Sequence, residues 1–127
     1  MRRLASLAAA LTTTLFGCDS PTVCADPPEF AVTAHVRDAL TSAPAAYGAT
    51  LVVRDGSYAD SVTGQYQGPD EQLALFLGAA DGRPGTYDVS IRKDGYLTWS
   101  RERVVAAQGR CTVKGVTFDV RLSPTSP

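Results

Sequence analysis

Between two groups of turn-forming residues, 81–85 and 94–95, the chain alternates without a break. Tyr87, Val89 and Ile91 fall on one side, and Thr86, Asp88, Ser90 and Arg92 on the other. A period of two, with aromatic and β-branched residues on the apolar side, fits a half-buried β-strand and does not fit an amphipathic helix. A strand cannot satisfy its own backbone N–H and C=O groups, so this run requires partners of the same kind.

The rest of the chain supplies them. Phe30, Val32, Ala34 and Val36 alternate with Ala31, Thr33, His35 and Arg37, which predicts a first strand with the former set inward. A connection over residues 38–48 leads to a second strand at 49–54, with Leu51 and Val53 inward. Asp55-Gly56 is a hairpin signal, because glycine supplies positive φ there, and a weaker, exposed third strand follows at 57–62. Residues 71–78 read as a fourth strand on the alternation of Leu73, Leu75 and Leu77, with a short helix as the competing assignment. The run at 86–92 is the fifth. Asp94-Gly95 closes a hairpin into a sixth strand from Tyr96 to about Val105. The seventh covers 111–122. Its apolar parity changes between Val113 and Val116, which predicts a bulge at Gly115. Seven short strands between turns predict an all-β, antiparallel-dominated β-sandwich, with an immunoglobulin-like sandwich among the alternatives.

The N-terminal segment differs in kind. Met1-Arg2-Arg3 is positive, and residues 4–17 carry no charge. That length suits the apolar core of a signal peptide and is too short to span about 30 Å of hydrocarbon. It ends in Leu15-Phe16-Gly17-Cys18, which resembles the bacterial lipobox. The resemblance implies cleavage after residue 17, acylation of Cys18 and a membrane-tethered product facing the periplasm or the exterior. Several acyl chains on one residue anchor firmly where a single chain binds marginally. Asp19 resembles an inner-membrane retention signal of enteric bacteria. The alternative is an ordinary secreted protein with Cys18 merely close to the cut. On the lipobox reading the organisation is a signal at 1–17, a lipidated tether at 18–28, a sandwich domain at 29–123 and a tail at 124–127.

Without the signal the chain keeps 127 − 17 = 110 residues, enough for one domain with a core. Loss of Arg2 and Arg3 leaves 12 − 2 = 10 basic against 13 acidic side chains, a net charge of −3, and no basic cluster points to nucleic acid. With Cys18 assigned to lipid, Cys24 and Cys111 remain, and export to an oxidising compartment favours a disulfide between them.

A second resemblance rests on Gly85-Thr86-Tyr87-Asp88-Val89-Ser90-Ile91 followed by Asp94-Gly95-Tyr96, together with Val36-Arg37-Asp38-Ala39-Leu40-Thr41-Ser42-Ala43-Pro44. These stretches are similar to the carboxypeptidase regulatory-like domain, with Ser42 where that family often has Gly. The resemblance implies a prealbumin-like (transthyretin-like) sandwich over residues 30–122, in which the first and last strands are parallel neighbours. It further implies that Cys24 and Cys111 meet at one end of the sheet.

Chemistry-bearing residues are sparse. His35 is the single histidine and falls on the polar face of its strand, whereas zinc needs three or four ligands. Ser57 and Ser61 lack a histidine base on a recognisable nucleophile turn. Asp55, Asp60, Asp70, Glu71 and Asp81 sit in or beside turns, where carboxylates bond their own backbone. No catalytic set, metal site or cofactor is expected. Trp99 is the one candidate for ligand contact, as part of an aromatic platform for sugar if exposed and as a core plug if buried. The expected function is a non-enzymatic, lipid-anchored structural or protein-interaction module of the envelope, with a cell-surface carbohydrate-binding module as the alternative. Its partners would be the membrane and envelope proteins or glycans.

Overall fold

The computed structural model describes residues 29–126. Eight strands and one short helix follow in order: β1 (Phe30–Asp38), β2 (Thr50–Asp55), β3 (Tyr58–Thr63), α1 (Glu71–Leu75), β4 (Phe76–Asp81), β5 (Gly85–Arg92), β6 (Trp99–Gln108), β7 (Val113–Lys114) and β8 (Val116–Leu122). They build a three-stranded sheet, β4-β1-β8, and a five-stranded sheet, β3-β2-β5-β6-β7. The chain is therefore all-β with two sheets, as expected, but among the described residues it has eight strands, not seven.

One apolar cluster joins the two sheets. Val32, Ala34, Val36, Leu77, Val120 and Leu122 come from the smaller sheet, and Leu51, Val53, Tyr87, Val89 and Ile91 from the larger. Pairing is antiparallel throughout the five-stranded sheet. In the smaller sheet β1 pairs antiparallel with β4 and parallel with β8, the latter in register from Val32 opposite Val116 to Asp38 opposite Leu122.

The extra strand arises at Gly115. Residues 111–122 are not one bulged strand. β7 pairs with β6 in one sheet, and β8 pairs with β1 in the other. The change of parity marks the passage of the chain between sheets: Val113 enters the core from one side, Val120 and Leu122 from the other. A Cβ on Gly115 would collide with the Phe30 carbonyl oxygen, so only glycine permits the crossing.

Three further assignments shift. Residues 71–78 divide between the two competing readings, helix to Leu75 and strand from Phe76. Asp70 accepts the N–H groups of Gln72 and Leu73 and so nucleates the turn. β6 begins at Trp99, not Tyr96, because the Tyr96 region is drawn to the C-terminus: Tyr96 bridges Pro124, and Leu97 N–H donates to the Ser123 carbonyl. Phe30 does not join Val32 inside. Its ring lies over the bare backbone of Gly78, with its centroid 5.8 Å from that of exposed Phe76.

Candidate functional site

Asp38 is the one buried charged residue among those described. It ends β1, where the chain must turn. One carboxylate oxygen accepts the N–H groups of Leu40 and Thr41 at 2.7 and 2.9 Å, and the other accepts the Tyr96 hydroxyl at 2.7 Å. The Tyr96 bond, followed by the two backbone bonds, holds the carboxyl below the usual carboxylate range and raises the tyrosine's own pKa. Lys93 lies beside this pair, donating to the Ala45 carbonyl at 3.2 Å with its ammonium 5.5 Å from the Tyr96 ring centroid. Burial lowers its pKa against the opposing pull of Asp38. These bonds fasten the turn after β1 to the Tyr96 segment.

The turn carboxylates are committed in the same way. Asp55 pairs with Arg83 at 3.1 Å, and the Arg83 guanidinium sits 3.8 Å above the Tyr58 ring while donating to the Tyr87 hydroxyl. Asp60, on β3, accepts the Ala80 N–H of β4 at 2.9 Å and so ties one sheet to the other. Asp70 caps α1, and Glu71 pairs with Arg37 at 3.0 Å. Among the described residues, no three His, Cys, Asp or Glu side chains converge as a metal would require, and no helix is long and apolar enough to cross a membrane.

His35 lies on the outer face of the smaller sheet, 3.7 Å from the Asp119 carboxylate. Trp99 is half-buried. Its ring meets Phe118 edge-on at 5.3 Å between centroids, and the Arg101 guanidinium covers it at 4.7 Å. Trp99 and Phe118 are partly buried against the core, while Arg101 is exposed over the ring. Cys111 is half-buried just before β7, whereas Cys18 and Cys24 lie outside the described residues, as does the signal segment.

The surface feature that residue-type reasoning missed is the outer face of the five-stranded sheet. Strand register puts Thr63, Thr50 and Arg92 in one row, Ser61, Val52, Ser90 and Ser100 in the next, and Ala59, Arg54 and Asp88 in a third. Short side chains in the middle row leave a trough. A depression of about 410 Å³ lies over Thr50, Val52, Ser61 and Ala59 between Arg54 and Arg92. It shares Thr50 and Arg92 with a second, of about 530 Å³, that reaches Lys93 and Tyr96. The sequence signal was present in the polar positions of β2, β3 and β5, but only pairing brings them into one surface.

No family model matches the chain, and no curated protein is significantly similar to it.

Proposed function

We propose that the chain is a lipid-anchored, non-enzymatic β-sandwich of the bacterial envelope, prealbumin-like in form, that acts as a structural or protein-interaction module. One observation carries the form: the first and last strands run parallel side by side, and the two stretches that resemble the carboxypeptidase regulatory-like family meet through the Tyr96–Asp38 bond. The non-enzymatic reading is supported by the commitment of Asp38, Asp55, Asp60, Asp70 and Glu71 to bonds that hold turns and sheets together.

A Cys24–Cys111 disulfide belongs to the same proposal. Cys111 is not a free thiol. It precedes by four residues Gly115, whose backbone abuts Phe30 at the start of β1, and Cys24 precedes Phe30 by six. Six residues reach about 20 Å at full extension, ample to bring the two sulfurs together.

Anchoring is tested by expressing the full chain in a bacterium with an alkyne-bearing fatty acid. The expected result is incorporation of label and sedimentation with membranes, both lost in Cys18→Ser. Unlabelled, soluble wild-type protein would refute the anchor. Site-specific crosslinking from the outer face of the smaller sheet, at Thr117, then distinguishes an interaction module, which yields discrete adducts in intact cells, from an inert one.

A further inference from the structure

The trough on the five-stranded sheet has features that fastening the fold does not explain. Arg54 and Arg92 are exposed and make no ion pair with any described residue. Asp88 stands opposite Arg54 in register, yet its carboxylate accepts the Arg103 N–H instead, at 3.2 Å. Asp60, the one acid lining the depression between the two arginines, has its oxygens on the Ala80 and Ser61 N–H groups. Two exposed guanidinium groups that form no ion pair among the described residues thus bracket a shallow floor, with the acids Asp60, Asp88, Asp94 and Glu102 also lining its depressions.

Their spacing and the floor between them narrow the ligand. Arg92 pairs across from Thr50, and Arg54 lies four residues along β2 from Thr50, about 13 Å at the rise of a strand. Thr50, Ser61, Thr63 and Ser90 present hydroxyls here; Thr50 and Thr63 bond each other at 2.8 Å, which leaves that pair one O–H and spare lone pairs, and Ser61 and Ser90 add one hydroxyl each. An extended ligand with anionic groups a few repeats apart and hydroxyls between them matches this pattern. A protein partner would bring apolar side chains to bury, and the depression between the arginines offers only Val52 and Ala59 to meet them. The exposed large apolar residues Leu40, Leu73, Phe76, Leu97 and Val105 do not line the trough, Val105 lying farther along the same sheet, opposite Thr86. At its margin a further depression is lined by Tyr47, 48% exposed, with Gln65 and Gln67, an aromatic face beside amides.

We propose that this trough binds an acidic, uronate-bearing polysaccharide, with Arg54 and Arg92 receiving its carboxylates and Thr50, Ser61 and Ser90 its hydroxyls. A guanidinium fork matches a carboxylate in two parallel hydrogen bonds, which an ammonium cannot do. The site is independent of the anchor and goes beyond the module reading, since it names a ligand class for a face which that reading leaves unused.

Titration calorimetry of the full-length protein in detergent tests it, with polygalacturonate as probe and neutral dextran and polyglutamate as comparators. Polygalacturonate is expected to bind and dextran not to. Arg54→Ala and Arg92→Ala should each weaken binding by about tenfold, the worth of one charge-assisted bond. Arg92→Lys should restore only part of the loss, and Lys114→Ala on β7 should change nothing. Both arginines are exposed, so thermal unfolding should be unaltered. Absence of polygalacturonate binding, equal binding by the Arg54→Ala/Arg92→Ala double variant, or equally tight binding of polyglutamate would each overturn the assignment. Failure of the Cys18 labelling experiment would leave it untouched.

Discussion

Asp38 and the three left-handed non-glycine residues show how single side chains hold this backbone in place. Ser42, Ala80 and Arg103 have φ of 60°, 57° and 52°, a conformation that costs an L-residue about 1–2 kcal/mol. Each is pinned by a charged neighbour: Ser42 through its carbonyl by Arg37, Ala80 through its N–H by Asp60, and Arg103 through its N–H by Asp88. Asp38 serves the loop containing Ser42, and its carboxyl is depressed by Tyr96 and by two backbone N–H groups. A depressed native pKa contributes stability above the unfolded value, about 3.9, that is lost as pH falls through the native one. Asp38→Asn should therefore be less stable than wild type at neutral pH, with the gap closing below about pH 4. Tyr96→Phe, which keeps the backbone bonds, should remove part of that acid dependence. Denaturant midpoints measured across the acid range check both.

Two elements owe their boundaries to one residue each. α1 is five residues long, too short to persist on propensity, and it stands because Asp70 caps it and Leu75 is buried beneath it. Asp70→Ala should cost about 1 kcal/mol in urea unfolding, with an unchanged m-value. The split of the last strand depends on Gly115, where a methyl group would strike the Phe30 carbonyl. Gly115→Ala should destabilise by about 1–3 kcal/mol, the cost of forcing a well-packed site apart. Hydrogen exchange should show the β1–β8 ladder weakened before the β2–β5 ladder. Equal weakening of both would mean that the crossing does not act locally.

For the molecule as a whole, the parallel β1–β8 pair closes the smaller sheet, and the proposed Cys24–Cys111 bridge would close a loop of 111 − 24 = 87 residues around nearly the entire domain. On the chain-entropy model such a loop adds about 4–5 kcal/mol, less any strain. Reduction with a strong thiol should lower the unfolding free energy by an amount of that order, and Cys111→Ser should lower it equally, with no further effect of reductant. A stability indifferent to reductant would remove the bridge. The larger sheet contributes differently, since its inner face supplies much of the core while its outer face carries the Arg54–Arg92 trough.

Strand identity was legible wherever one face is buried, because a period of two is imposed by the pleat itself: β1, β2 and β5 were placed from alternation, and the turns at Gly56 and Gly95, with φ of 57° and 84°, from Asp-Gly pairs. Even the parity change at Gly115 was visible, but whether it meant a bulge or a change of sheet depends on which neighbour each half meets. Phe30 deceived for the same reason, since Gly78, far along the chain but on the adjacent strand β4, offered its ring a place outside. The fastening of Asp38 to Tyr96 joins residues 58 positions apart, and the trough gathers side chains from β2, β3, β5 and β6. Local pattern depends on near neighbours along the chain and can be read from their order. Contacts between distant residues depend on packing and pairing, and those are properties of the folded body alone.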